Sequence, residues 1–422
     1  MITRGRKNLF YGWWIVAAAW VLMFLSYGIR YSFGIYLEPL CLDFDWTTAT
    51  VSGFFSIYMA IYSVAALAMG TLTDKYGPRL ICTIGVLFVG IGLISTTWTQ
   101  SLWQLYLSLG LLVGMGASTM YTPVNATVSK FFTKKRSLAL GTAMTGISFG
   151  PFVMAPISHY FIASYGWTNS FILTGIISLA LGIPVAAIII RRSPQDIGLL
   201  PDGEGKQANA KEPKPHQDNE QIQPEGLTLR EALKNHFFWA IFAAYLLFTG
   251  PAMAIMFHLP HLATSVGISS NIASMAIGIV GLAGIGGRIG FGALGDKKGN
   301  NNVLILTSIG RGLMILCLLW VRGEVALLIW SALYGLIYSG MSPNLIGLLA
   351  ELFGVSNLAS ILGALTIAAG ISGALGPWLA GYMFDIQGSY NIVVIIFGVC
   401  FLLATLCFVF IKVRKQRLLP QQ

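Results

Sequence analysis

GIGGRIGFGALGDKKG, residues 284–299, holds two signals. From Ile279 to Gly295 every residue is small or apolar except Arg288, and a guanidinium stays protonated at any ordinary pH. The second half, GALGDKKG at 292–299, recurs as GTLTDKYG at 70–77, an offset of 222 that also pairs Gly28 with Gly250. GISFGP at 146–151 resembles GISGALGP at 370–377 with a small slip in that offset. Repetition at this spacing reads as two related halves.

The surrounding composition says what the halves are made of. Hydrophobic residues are 55% of the 422 and charged residues 10%, with a mean hydropathy of +0.73. A water-soluble domain of this size could not cover its surface with so few polar groups. Apolar windows of about twenty residues fall near 12–37, 49–71, 80–99, 102–129, 137–163, 167–190, 237–263, 271–295, 303–321, 325–349, 357–383 and 390–411. Their unbroken apolarity predicts an all-α, polytopic membrane protein of twelve spans; barrel strands would alternate at period two and be half as long.

The net charge of +10 is a matter of topology rather than nucleic-acid binding. Of the 26 Lys and Arg, 22 lie in the two tails or in alternate loops, such as Lys75 and Arg79, Lys130 to Arg136, and Lys297 and Lys298. The other loops hold Glu38, Asp43, Asp45, Glu324 and Asp385 with one cation, Arg322. The positive-inside rule puts both termini in the cytoplasm of a multi-pass cell-membrane protein, with a bacterial cytoplasmic membrane as the expected setting. The basic N-terminus leads into a full-length span without a cleavage site, so it reads as an uncleaved first helix. Four of five cysteines lie in spans and Cys41 stands alone, which offers neither a disulfide framework nor a metal site. No cofactor is expected, and no phosphate-cradling G-x-x-x-x-G-K-[ST] occurs. Residues 192–235, rich in Pro, Gly and mixed charge, read as a cytoplasmic linker between a bundle at 1–191 and a bundle at 236–422.

Two six-helix halves, each with a G-x-L-x-D-[KR]-x-G turn after its second helix, resemble the major facilitator superfamily. The resemblance implies two pseudo-symmetric bundles that rock about a midplane site. It also implies that Asp74, Arg79 and Asp296 act as conformational latches. Two further stretches, FYGWWIVAAAW at the first helix and FFTKKRSLALGTAMTGISFG at 131–150, are similar to motifs of the monocarboxylate transporters. The glycines and alanines of the second stretch are the small residues that let membrane helices approach closely.

Arg288 lies eight residues before Asp296, so at 1.5 Å per residue it sits about 12 Å inside the cytoplasmic end, near the middle of a ~30 Å core. Burying it there costs at least ~2.5 kcal/mol on insertion scales. All sixteen Asp and Glu lie in loops or at helix ends, leaving no acidic partner at that depth. An uncompensated guanidinium in a cavity is an anion site able to grip a carboxylate through two N–H donors. The resemblance agrees: monocarboxylate transporters carry a substrate-binding arginine in the eighth helix. Animal members also place an aspartate beside that arginine and a lysine in the first helix, whereas this chain has Gly287, and Arg30 and Tyr31. Their proton relay therefore does not carry over. Oxalate/formate antiporters use a second cation in the eleventh helix, and here that helix has none. One central charge suits one carboxylate.

Other polar residues in the spans complete the candidate site. Tyr31 on the first helix is a candidate, Tyr121 is level with Arg288, with Asn125 one turn on, and Tyr338 pairs with Tyr334 at i, i+4 on the tenth helix. His258, beyond the bend expected at Gly250-Pro251, is the residue able to titrate near neutral pH and so carry a proton. Arg30 reads as an anion-steering or snorkelling residue, and Arg311 as a packed hydrogen-bond donor on a peripheral helix. The expected protein is not an enzyme. It is a secondary transporter of lactate- or pyruvate-like monocarboxylates, expected to work as a proton symporter and as a monomer; the alternative is an organic-anion antiporter of the oxalate/formate type.

Overall fold

A computed structural model of the chain describes residues 10–46, 48–203 and 226–418. Among the described residues, eleven helical stretches are long and apolar enough to cross a membrane: α1 Gly12–Tyr36, α2 Gly53–Tyr76, α3 Pro78–Trp98, α4 Leu102–Phe131, then Arg136–Ile189, followed by α7 His236–Ser265, α8 Asn271–Lys298, α9 Asn300–Trp320, α10 Glu324–Phe353, α11 Leu358–Gln387 and α12 Asn391–Gln416. The fifth stretch has 54 residues, which at 1.5 Å each is about 80 Å and more than two membrane cores. It turns at Gly166, whose φ of 79° and ψ of 163° only glycine adopts readily. The stretch is thus two crossings, α5 (136–165) and α6 (167–189), and the twelve expected spans are present.

The repeated motif explains the helix ends. Gly77 and Gly299 follow α2 and α8 with φ of 90° and 87°, a positive-φ backbone that glycine adopts without steric cost. Pro78 then opens α3, where its missing N–H costs nothing. Three spans that read as continuous in the sequence are interrupted among the described residues: α4 breaks at Met120–Tyr121 and resumes with Pro123 in its first turn, α5 at Thr145, and α10 at Gly340 ahead of Pro343.

Glycines set how closely the helices meet. A Cβ on Gly150 would overlap the Phe24 carbonyl, packing α5 on α1, and one on Gly376 would overlap Gly250, packing α11 on α7. Two crossings join the halves. In one, Gly70 of α2 meets the Ala359 carbonyl and Gly363 of α11 meets that of Ala66; in the other, Gly292 of α8 meets the Ser137 carbonyl and Gly141 of α5 meets that of Arg288. The partners are again 222 residues apart, 363 − 141 and 292 − 70.

Each crossing ends in an aspartate that caps the other half's helix. The Asp296 carboxylate accepts from the Ser137 and Leu138 main-chain N–H groups at 2.8 and 2.9 Å, and Asp74 Oδ2 accepts from Ser360 N and Oγ at 2.8 and 2.5 Å. First-turn N–H groups have no intrahelical acceptor and sit at the positive end of the helix dipole. Arg79, expected to share this role, is exposed with no side-chain hydrogen bond to either aspartate among the described residues, and Arg192 Nη2 reaches the Asp74 main-chain carbonyl at 2.9 Å. Ser137 continues into a chain through Asn300 to Glu351 and Lys415. All these contacts lie at the face that carries the described chain ends.

The packing is testable. Gly292→Val should destabilise by about 1–3 kcal/mol, the usual cost of overpacking, and lower the unfolding temperature in detergent. Gly290→Val, where a Cβ meets open space, should leave it within a degree or two of wild type on the same scale. Equal unfolding temperatures for the two variants would contradict the crossing.

Candidate substrate-binding site

Above the capped crossings the halves part around a cavity of about 140 Å³. α1, α2, α4 and α5 line one side, and α7 to α11 the other. Among the described residues that line it there is no aspartate, glutamate or lysine, but there are three arginines: Arg30, Arg288 and Arg311.

Arg288 projects from mid-α8 and is 8% exposed. Its Nη1 donates to Ser148 Oγ on α5, a neutral hydroxyl from the other half. Its main-chain carbonyl is the one Gly141 abuts, so the α5–α8 crossing that Asp296 caps also fixes the arginine. Four more donor hydrogens on a five-donor guanidinium remain to meet whatever enters.

Arg30 does not snorkel. It is 6% exposed, with the rings of Tyr27, Tyr31, Tyr58 and Tyr62 between 5.4 and 5.8 Å from its guanidinium carbon. Its Nη2 points at the Met59 sulfur at 2.8 Å, a weak acceptor, while Nε has no partner among the described residues. Rings at this distance stabilise a cation without neutralising it.

Arg311, on the helix expected to be peripheral, reaches the cavity as well. Its Nη2 donates to the Tyr338 carbonyl just before the α10 break, and its guanidinium lies 4.8 Å from that ring's centre. A cation at the C-terminal end of a half-helix is favoured by the dipole, which accounts for a residue otherwise buried without an acid. The count of one central cation, taken from the lack of a basic residue in the eleventh helix, is therefore corrected: the additional charges come from α1 and α9.

Of the expected site residues, Tyr31, Tyr121 and Tyr338 line the cavity with Arg288. Tyr121 stands at the α4 break, as N-cap of the half-helix Thr122–Phe131. Asn125 does not join them. It is wholly buried, and its Nδ2 donates to the Tyr121 carbonyl one turn back at 2.9 Å. His258 is also elsewhere, because Nε2 faces the Pro377 carbonyl of α11 at 2.9 Å and Nδ1 faces Tyr390 Oη at 3.0 Å. Sequence reasoning misses Tyr27, Tyr62, Tyr245 and Ser148. The i, i+4 pairs Tyr27/Tyr31 and Tyr58/Tyr62 are the available signal, since such pairs share a helix face.

The chain belongs to the Major Facilitator Superfamily, whose family model matches residues 19–325 and 303–422. It is a multi-pass membrane transporter, not an enzyme, and it is related to the monocarboxylate transporters. Monocarboxylate transporter 13 of Bos taurus is 27% identical over 399 residues, covering 93% of this chain and 87% of that one. Monocarboxylate transporter 12 of Rattus norvegicus is 25% identical over 420 residues, 96% of this chain and 86% of its own. Monocarboxylate transporter 2 of Homo sapiens is 25% identical, with shares of 90% and 81%. Among solved structures, the major facilitator transporter FucP in its outward conformation matches with a TM-score of 0.68 at 17% identity, covering 94% of this chain and 98% of that one. A second structure, of the E. coli fucose:proton symporter FucP, matches at 0.67 with the same identity and shares.

With both caps closed at the terminal face, the cavity should be reached from the opposite face. Ser342 lines it, so Ser342→Cys, with the five native cysteines replaced by serine, should be alkylated in oriented proteoliposomes by an impermeant reagent on that opposite side. Labelling only from the terminal side would contradict the closure.

Proposed function

We propose that the chain moves small monocarboxylates of the lactate or pyruvate kind together with a proton, by alternating access. The observation that carries this reading is Arg288, a buried guanidinium in a cavity with no acid among its described lining residues. Such a charge is costly until an anion pairs with it, and a carboxylate offers two parallel acceptors to its planar fork. Tyr121, Tyr31 and Tyr338 supply hydroxyls for the rest of the molecule.

Residues 1–191 and 236–422 act as the two rocking bodies, joined by the 192–235 linker, of which 204–225 lie outside the described residues. Asp74 and Asp296 serve as the latches of the terminal face, and the excess of Lys and Arg on that side supports reading it as the cytoplasmic one. Each must release two N–H or O–H donors when that face opens. The proton rides on His258 or is shared with the bound carboxylate, so the loaded carrier moves no net charge. The transporter works as a monomer.

Organic-anion exchange of the oxalate/formate type is the second reading, and the specific support for it is the pair of further guanidiniums, Arg30 and Arg311, on the same cavity.

Uptake of radiolabelled lactate and pyruvate into proteoliposomes separates these readings. An inward proton gradient should drive uptake, and Arg288→Ala should lower it by about 30-fold or more, the effect of truncating one partner of a buried charge pair. Full uptake by Arg288→Ala would overturn the reading. Rapid counterflow with no response to the gradient would favour exchange.

A further inference from the structure

At the end of α7 farthest from the termini, three titratable groups stand in a row. His258 and His261 lie one turn apart on α7, and Tyr390, buried in the turn before α12, has its hydroxyl between them. Tyr390 Oη is 3.0 Å from His258 Nδ1 and 2.8 Å from His261 Nδ1, while His258 Nε2 is 2.9 Å from the Pro377 carbonyl. His261 is exposed and His258 half-buried. Phe384 of α11 stacks on Tyr390 with ring centres 4.5 Å apart and meets the His261 ring edge-on at 4.8 Å, holding both in place.

Hydrogen counting fixes the resting arrangement. A carbonyl can only accept, so His258 Nε2 carries hydrogen and, in the neutral ring, Nδ1 accepts. Tyr390 has one hydrogen to give, which goes to His258 Nδ1. Its oxygen must then accept from His261 Nδ1–H. Only this assignment satisfies all three contacts with both rings neutral.

We infer that His261, Tyr390 and His258 form a proton relay leading from the exposed end of α7 into the C-terminal half. A proton from solvent adds to His261 Nε2. The Nδ1 proton of the resulting imidazolium passes to Tyr390 Oη as the phenol's own proton passes to His258 Nδ1. His261 is left neutral with hydrogen on Nε2, Tyr390 is again a phenol, and the positive charge is on His258. Protons balance at each atom and no phenolate forms. Burial, with the Asp385 carboxylate adding to it, holds the Tyr390 phenol above its usual range, so it serves by passing protons rather than by losing one. Protonated on both nitrogens, His258 makes a stronger bond to the Pro377 carbonyl, which fastens α7 to α11 in the proton-loaded state. The charged groups near the row are Asp385 on α11, which favours the cation, and Arg322 after α9, which shares a surface pocket with Tyr390 and opposes it.

The inference rests on the proton-coupled reading, and Tyr390→Phe tests it in the full chain. That variant keeps the ring and its stacking but removes the relaying hydroxyl. Gradient-driven uptake by Tyr390→Phe and by His261→Asn should fall at least about tenfold, within the range for a lost proton-transfer group. Counterflow, which needs no net proton, should stay within about twofold of wild type and certify the fold in the same vesicles. Undiminished gradient-driven uptake in Tyr390→Phe would overturn the relay. If wild-type uptake ignores the gradient, the symport reading fails by itself, and nitrogen NMR of ¹⁵N-histidine protein decides the relay: neutral His261 must carry hydrogen on Nδ1 in wild type and lose that preference in Tyr390→Phe. A neutral His261 with hydrogen on Nε2 in wild type would overturn it.

Discussion

Two carboxylates bind the halves of this molecule together by sitting at the N-termini of helices that belong to the other half. Asp74 closes α11 and Asp296 closes α5. Each interaction joins a charge to main-chain donors that no residue of their own helix can satisfy. Neither aspartate forms an ion pair among the described residues, although Lys130 stands near Asp74 and Arg136 near Asp296. The nearby glycines are part of the same device, since only where Gly70 and Gly292 bear no Cβ can α2 and α8 come near enough for the aspartates to reach. The motif is thus a close-approach residue, a cap for the partner and a positive-φ stop, four and seven residues on.

The cavity inherits its character from that closure. α5 and α8 cross where Gly141 meets the Arg288 carbonyl, so the position of the arginine is set by the same contact that Asp296 completes. Its guanidinium spans to Ser148 in the opposite half. An anion that competes for those N–H donors acts directly on a link between the two halves. Arg30 and Arg311 raise the positive potential of the cavity, each softened by aromatic rings rather than neutralised by acids.

Much of this is legible in the sequence, for reasons of period and spacing. The spans follow from apolarity alone, the repeat from a fixed offset, and the depth of Arg288 from the rise of a helix counted back from Asp296. What cannot be read is which way side chains turn once helices break. The break at Met120–Tyr121 turns Tyr121 toward the cavity and leaves Asn125 bonded to its own helix. The depth of His258 gives no hint that Pro377 and Tyr390 claim both its nitrogens. Helix number places Arg311 at the periphery, yet a long side chain from α9 reaches past the α10 break. The resemblance groups Arg79 with Asp74, while the arginine that meets Asp74 in the structure, Arg192, arrives from 118 residues away.

The central claim is that a carboxylate on Arg288 loosens the capped terminal face. Spin labels at Tyr76 and Ser356, exposed positions at the end of α2 and just before α11, report that face by pulsed electron-resonance distances in lipid nanodiscs. Adding lactate should move the wild-type distribution toward longer separations and leave that of Arg288→Gln at the short, closed distance. Identical distributions with and without lactate in wild type, or the same shift in Arg288→Gln, would contradict the account.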